Sequence, residues 1–106
     1  MTQSAALFQP LRGVRVLDLS RYLPGPYLTR ILADFGATII KVESAQGDPA
    51  RYMAPQIEGC ATLFTAINAG KRSIVIDLKK EEGKDIVKAL AAKCDIVVES
   101  FRPGVA

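Results

Sequence analysis

Four short runs of β-branched and aliphatic residues recur along this 106-residue chain and restrict the folds open to it. They occupy residues 14–19, 39–42, 73–78 and 96–99, and glycine or polar residues flank them. Short continuous apolar runs are typical of strands buried on both faces of a parallel sheet. The intervening segments have helical spacing, and such alternation favours right-handed βαβ crossovers. The sequence therefore predicts a three-layer α/β domain, in which an open parallel sheet of about four strands carries helices on both faces.

Three intervening segments place apolar residues on one side of a helix. The first follows Pro24 and Pro26, which suit a first helical turn, and Gly36 is expected to end it. The second is short and closes at Gly70. The third carries acids where it begins and Lys93 where it ends, which suits the helix dipole. The apolar positions are Tyr27, Leu28, Ile31, Leu32 and Phe35, then Leu63, Phe64 and Ile67, then Ile86, Val87, Leu90 and Ala91.

The chain length fits one domain. Residues 1–10 are irregular and predict an N-terminal arm, whereas residues 11–106 carry the domain pattern. A doubly wound domain would begin its next helix where this chain stops, so we interpret the end as a cut and the domain as truncated after the fourth strand. No apolar run approaches the roughly 18 residues of a membrane span, and no signal segment is seen at the start. We expect a cytoplasmic protein that does not enter a membrane.

The charge pattern limits the partners. The formal net charge is +3 and the pI about 9.0, which suits an anionic ligand with phosphates but does not identify one. The basic residues are scattered, and only Lys71-Arg72 and Lys79-Lys80 are adjacent pairs. A nucleic-acid partner is therefore not indicated.

The residue content disfavours two kinds of site, a histidine-based catalytic triad and a tetrahedral metal site. The chain has no histidine, which excludes a histidine-based triad within it. Cys60 and Cys94 lie 34 positions apart and are the only cysteines in the sequence. Two cysteines without a histidine supply too few ligands for a tetrahedral metal site. Both are expected to be small buried thiols in a reduced compartment.

Ligands of open parallel sheets bind beyond the carboxyl ends of the strands. That rule selects residues 20–26, 43–47, 78–80 and 100–104. The first of these lacks the Gly-x-Gly-x-x-Gly dinucleotide pattern, because it has one glycine and two prolines without an N–H. Glu43 stands where a ribose-binding acid would be, but a nicotinamide or flavin site is disfavoured.

Three polar features inside or beside the runs have ordinary interpretations. Asp18 and Asp77 lie within strands and are expected to be surface or edge carboxylates paired with nearby Lys or Arg. Lys71 and Arg72 follow a glycine and are expected to form a solvated loop pair, with a phosphate contact as the alternative.

Four sequence blocks, in order over residues 11–106, resemble class III CoA-transferases. This family includes formyl-CoA transferase, carnitine CoA-transferase and α-methylacyl-CoA racemase. The blocks are residues 13–21 with Pro24-Gly25-Pro26, residues 32–37 with 40–43, residues 68–74 with 77–79, and residues 98–105.

The resemblance implies a Rossmann-like large domain that binds CoA, from an enzyme with an interlocked dimer. It implies no permanently bound cofactor, since CoA or acyl-CoA is the substrate, and it implies a homo-oligomer. Lys79 and Arg102 would supply charge to phosphates, the arginine through its forked guanidinium. By resemblance, the CoA-contacting positions are Arg21, Tyr22, Leu23, Pro24, Ile76, Asp77, Leu78, Lys79, Ser100, Phe101 and Arg102.

The chain also departs from the family pattern. Ser44 stands where some members place an arginine, Leu23 replaces the glutamine of the formyl-CoA branch, and Pro-Gly-Pro is closer to the racemase-like branch. The family's catalytic aspartate would fall beyond Ala106, as would the racemase acid–base pair, so no catalytic residue is assigned. We expect the CoA-binding part of a transferase that is inactive alone. The alternatives are a racemase-like parent, and a standalone module without catalysis that binds CoA or another nucleotide or forms oligomers, since an uncovered sheet edge favours association.

Overall fold

Strands and helices alternate through residues 8–100, which the computed structural model describes. The four predicted strands and three predicted helices are all present. In chain order the elements are β1 (Arg15–Asp18), α1 (Pro24–Asp34), β2 (Thr38–Glu43), a 3₁₀ helix (Pro49–Tyr52), β3 (Gln56–Ile57), β4 (Cys60–Ala61), α2 (Thr62–Asn68), β5 (Arg72–Val75), α3 (Glu81–Lys93) and β6 (Ile96–Val98).

The main sheet is parallel throughout and runs in the order β5-β2-β1-β6. Val16 of β1 pairs with Ile39 of β2 on one side and with Ile96 of β6 on the other. Counted along the chain, this order is third, second, first, fourth, which is the order of the first part of a Rossmann sheet. The predicted open parallel α/β sheet is confirmed.

Alternation along the strands divides the core between the two faces of the sheet. Val16 and Ile39 face Leu32 and Ala33 of α1. On the opposite face, the neighbouring Leu17 packs with Val42 and Ile76 against α3, through Val87, Leu90 and Ala91. Helices therefore cover both faces, as the pattern predicted.

The ends of the helices follow the local sequence. Pro24 starts α1, and the chain leaves this helix through Gly36 at a φ of +102°, a backbone conformation that costs glycine little. Helix α3 carries Glu81 and Glu82 in its first turn and Lys93 in its last, which is the favourable orientation relative to the helix dipole.

The segment predicted as a loop, residues 44–59, contains more structure than the sequence suggested. It includes the 3₁₀ helix and one strand of a small antiparallel hairpin, in which Ile57 pairs with Cys60. Glu58 and Gly59 connect the two strands with φ values of +53° and +79°, as in a tight two-residue hairpin turn. No helix among residues 8–100 is long and apolar enough to cross a membrane.

Candidate functional site

The carboxyl ends of β1 and β2, and the chain that follows β5, surround a cavity of about 510 Å³. Its lining comprises residues 19–21, 41–48 and 76–79. Three of the four segments selected by the strand-end rule thus meet at one cavity. The fourth segment contributes Ser100, which is exposed and outside the lining.

The positions expected to contact CoA divide into three groups. Five of them line the cavity: Arg21, Ile76, Asp77, Leu78 and Lys79. Tyr22, Leu23 and Pro24 continue the first loop but stand outside the lining, with Ser100. Phe101 and Arg102 lie outside the described residues.

The first loop, residues 20–26, depends on Gly25 near its end, in the first turn of α1. A Cβ built on Gly25 would lie 2.2 Å from the Cβ of Ser20, far inside van der Waals contact. Ser20 itself is buried and donates from both its N–H and its hydroxyl to the Asp18 carboxylate. The loop therefore turns tightly against the end of β1.

Lys41 and Asp48 form a buried ion pair in the cavity wall. The Nζ and Oδ2 atoms are 2.8 Å apart, and both side chains are essentially inaccessible to solvent. Lys41 also donates to the Ser20 carbonyl at 3.1 Å. Sequence reasoning missed this pair, although a lysine inside the apolar run of a central strand was a signal, because a buried ammonium requires a partner.

Asp48 also organises the backbone on both sides of the cavity mouth. Its Oδ1 accepts from the N–H of Tyr22 at 3.0 Å and from the N–H of Ala50 at 2.9 Å, the second starting the 3₁₀ helix. Tyr22 has a φ of +76°, which is rare for a bulky side chain. The aspartate thus ties the loop after β2 to the loop after β1.

Glu43, at the end of β2, is occupied by protein donors. Arg51 donates to both carboxylate oxygens at 2.7 Å, and Ser73 and the N–H of Asp48 donate as well. The Arg51 hydrogen bonds outweigh the effect of burial and lower the pKa of Glu43 to about 2. The guanidinium also lies 3.9 Å above the ring centre of Phe64. A carboxylate engaged in this way holds the fold together, and a ribose contact is not needed to explain it.

Asp18 and Lys71 differ from the expected surface groups. Asp18 is fully buried, and the Lys71 side chain is 2% exposed, with 3.2 Å between Oδ2 and Nζ. Lys71 also donates to the Pro26 carbonyl and to Asn68, so three acceptors use the three ammonium hydrogens. The prediction that Lys71 is solvated is therefore wrong, and so is the prediction that Asp18 lies at the surface. The predicted pairing of Asp18 with a lysine is correct.

Hydrogen bonds set the ionisation of this buried pair. Burial raises the pKa of Asp18, but donation from Ser20 and Thr29 and the charge of Lys71 together outweigh it, leaving the pKa below its ordinary value. Charge-assisted bonds of this kind favour the ionised carboxylate.

The cavity also contains exposed charge. Arg21 and Lys79 are exposed, and Asp77 is exposed while accepting from the N–H of Lys79 at 3.0 Å. Because Lys41 and Glu43 are each neutralised by a buried or half-buried partner, the exposed charges are two cations, Arg21 and Lys79, against one carboxylate, Asp77, and this rim has an excess of positive charge. Such a rim suits an anionic ligand.

The thiols do not form a common site. Cys60 is exposed on the hairpin and Cys94 is half-buried at the end of α3, so the expectation that both are buried is wrong for Cys60. Residues 8–100 contain no cluster of His, Cys, Asp and Glu able to hold a metal ion.

Comparison with known proteins connects this geometry to a family. The sequence profile of CoA-transferase family III matches residues 11–106. Succinyl-CoA:glutarate CoA-transferase of Homo sapiens is 44% identical over 98 residues, which cover 91% of this chain and 22% of that protein. Formyl-CoA:oxalate CoA-transferase of Afipia carboxidovorans is 44% identical over 97 residues, which cover 90% of this chain and 23% of that protein.

Solved structures agree. A CAIB/BAIF family protein from Brucella suis matches with a TM-score of 0.85 at 44% identity, over 91% of this chain and 27% of that one. The hypothetical protein Rv3272 from Mycobacterium tuberculosis matches with a TM-score of 0.83 at 43% identity, over 91% and 26%. The chain spans about a quarter of the length of these relatives. It belongs to CoA-transferase family III and corresponds to the N-terminal portion of its members.

Proposed function

We propose that this chain binds the phosphate-bearing nucleotide part of CoA in the cavity between residues 19–21, 41–48 and 76–79. The observation that supports it most is the pair of exposed cations, Arg21 and Lys79, on two sides of a cavity at the carboxyl ends of parallel strands. Ligands of open α/β sheets bind beyond the carboxyl ends of the strands. Family membership supports a CoA thioester as the ligand.

Each cation has a separate role in the proposal. The Lys79 ammonium contacts a phosphate as a point charge, and the Arg21 guanidinium offers a planar fork of donors. The Asp77 carboxylate accepts from the N–H of Lys79 and thereby holds the backbone turn that carries Lys79. By the family resemblance, Ser100, Phe101 and Arg102 are proposed as further CoA contacts. They follow β6 in the chain, and the Val98 carbonyl of that strand accepts from the Leu19 N–H beside the cavity.

The proposed parent reaction is transfer of CoA between carboxylic acids, because the named relatives are CoA-transferases for dicarboxylic and formyl thioesters. By the family resemblance, the nucleophilic aspartate of such enzymes is expected at a position after Ala106. The 106-residue chain by itself is therefore proposed to bind CoA without turning it over, and assembly into a homo-oligomer stays a prediction.

Isothermal titration of the chain with CoA tests the proposal. Saturable binding is expected, and Lys79→Ala or Arg21→Ala should each weaken it by about tenfold or more, since a hydrogen bond to a charged group contributes about 1.5–3 kcal/mol and about 1.4 kcal/mol is a factor of ten. Lys93→Ala is the matched control, because it removes the same charge at the far end of α3. No saturable heat at millimolar CoA, or equal affinity for all variants, would contradict the proposal.

The ligand fragment that binds identifies the part of CoA involved. Adenosine 3′,5′-bisphosphate is expected to compete with CoA, and the competition should weaken at higher salt. Pantetheine, which carries no phosphate, is expected to compete poorly. The reverse ranking would place the acyl-carrying arm, and not the nucleotide, in this cavity.

A further inference from the structure

The backbone at Tyr22 is held in an unfavourable conformation. Its φ of +76° lies in the left-handed region, which residues with large side chains rarely adopt. Such conformations persist when surrounding contacts determine them, and they concentrate at binding and catalytic sites. The contacts that determine this one are therefore worth identifying.

The Lys41–Asp48 ion pair supplies those contacts. The Asp48 carboxylate accepts the Tyr22 N–H, at 3.0 Å from Oδ1 and 3.3 Å from Oδ2. Lys41 donates to the Ser20 carbonyl at 3.1 Å. The pair thus holds the chain immediately before and immediately after Arg21.

This arrangement exceeds what packing alone would require. Burying an ion pair costs desolvation free energy, and apolar residues of similar size often stabilise a fold equally well. Here both members line the proposed ligand cavity. Besides the Ala50 N–H at the start of the 3₁₀ helix, their hydrogen-bond partners are the Ser20 carbonyl and the Tyr22 N–H of the first loop. Arg21, whose side chain is exposed, lies between the two anchored residues, Ser20 and Tyr22.

We propose that Lys41 and Asp48 are positioning residues for ligand binding, which fix the backbone on either side of Arg21 so that its guanidinium is directed into the cavity. This inference rests on the proposed function, because it assigns the pair a role in binding the phosphate-bearing ligand. The pair itself does not touch the ligand in this account. It acts through Tyr22 and Arg21.

A double-mutant cycle between Asp48 and Arg21 tests the inference. In CoA titrations, Asp48→Ala and Arg21→Ala should each lower the affinity roughly tenfold, and the double variant should lose little more than either single one. Residues that act through each other are non-additive in this way. The control cycle pairs Asp48→Ala with Lys79→Ala, for which the fold-losses should multiply. Additive losses in the Asp48–Arg21 cycle would overturn the proposal.

Glycine at position 22 gives a second, independent test. Because glycine adopts positive φ without strain, adding Tyr22→Gly to Asp48→Ala should restore part of the lost affinity. Because relief of strain at position 22 can also raise the stability of the fold, urea unfolding of the same variants is measured beside the affinity, and the rescue counts only where the affinity recovers among variants that are fully folded. Failure of the rescue in a folded double variant counts against the proposal. If Asp48→Ala does not fold, Lys41→Met with Asp48→Ala replaces it, because that double variant leaves no unpaired buried charge.

Hydrogen exchange separates this inference from the proposed function. In the ligand-free chain, the Tyr22 amide should be protected, and Asp48→Ala should remove the protection while the amides of β1 stay protected. If the wild-type chain does not bind CoA, but Asp48→Ala still removes the protection of the Tyr22 amide, the proposed function is rejected and the backbone-positioning role is kept. An unprotected Tyr22 amide in the wild-type chain would reject the positioning role.

Discussion

The carboxylate of Asp18 and the ammonium of Lys71 lie 3.2 Å apart and are almost completely removed from solvent. They are 53 positions apart in the chain. Through Asp18 the pair holds Ser20 and Thr29, and through Lys71 it holds the Pro26 carbonyl. The start of α1 and the first loop therefore depend on a charge that comes from the beginning of β5.

Removing Lys71 should be strongly destabilising. Lys71→Met leaves the Asp18 carboxylate buried without its cation, and breaking such a pair costs about 3–5 kcal/mol. Urea unfolding of the chain at pH 7 measures it. Lys88→Met, at an exposed position of α3, is the control and should change the stability by about 0.5 kcal/mol or less. Equal, small changes in both variants would show that Asp18 is not buried as an ion.

The stability of the fold should fall in acid because of Glu43. Its pKa of about 2 in the folded chain lies below the ordinary value of 4.5. The folded state therefore binds its proton less readily than the unfolded state, and the contribution is complete above pH 4.5. This contribution should be lost as the pH falls from about 4.5 to 2. We expect the loss to be on the order of 1–3 kcal/mol, less than the full pKa shift would give, because solvent that reaches Arg51 screens the pair.

Urea unfolding at pH 6, 4 and 3 measures this loss. Glu43→Gln should flatten the pH dependence, although part of it should remain because the lowered pKa of Asp18 acts in the same direction. Arg30→Met is the matched control, since its partner Asp34 is mostly exposed and the pair contributes little. A pH profile that is the same in the wild type and Glu43→Gln would be inconsistent with the Arg51 pairing.

The hydrophobic pattern was sufficient to predict the main sheet. Runs such as residues 39–42 are apolar apart from Lys41, because β2 lies between two other strands and is covered on both faces. The location of the cavity followed as well, because the carboxyl ends of parallel strands share one edge. These features depend on local composition and on rules common to parallel sheets.

The buried charges could not be predicted in the same way. Lys71 looked like a solvated residue because its sequence neighbours are Gly70 and Arg72, whereas its acceptors come from β1, α1 and α2. Asp48 similarly stands in a polar loop, and its partner Lys41 is on β2. Only the folded topology brings these groups together. The small hairpin was missed because its strands have two residues each, too few to show alternation.

The two thiols should react at different rates. Cys60 is exposed, whereas Cys94 is half-buried and packs against the core beneath α3. A thiol reagent such as 5,5′-dithiobis(2-nitrobenzoate) should therefore modify one thiol quickly and one slowly, and Cys60→Ser should remove the fast phase. In urea both thiols should react alike. A fast phase that survives Cys60→Ser would place Cys94 at the surface instead.

At Gly83, helix propensity should give the wrong sign for the effect of an alanine substitution on stability. Gly83 lies in the first turn of α3, and alanine is ordinarily more stabilising than glycine in a helix, by up to about 1 kcal/mol in its interior. Here a Cβ would lie 2.0 Å from the Asp77 carbonyl oxygen and 2.8 Å from its carbon. Backbone atoms on both sides of this contact cannot rotate away, so either α3 or the segment after β5 must move.

We therefore expect Gly83→Ala to destabilise the chain by about 1–3 kcal/mol, the usual cost of overpacking. CoA affinity should fall too, because Asp77 and Lys79 belong to the displaced segment and line the cavity. Ala89→Gly, at an exposed position in the interior of the same helix, reverses the propensity change away from the cavity. It should cost about 1 kcal/mol in urea unfolding and leave CoA binding unchanged. A Gly83→Ala chain that is more stable than the wild type and binds CoA normally would mean that α3 does not approach Asp77 this closely.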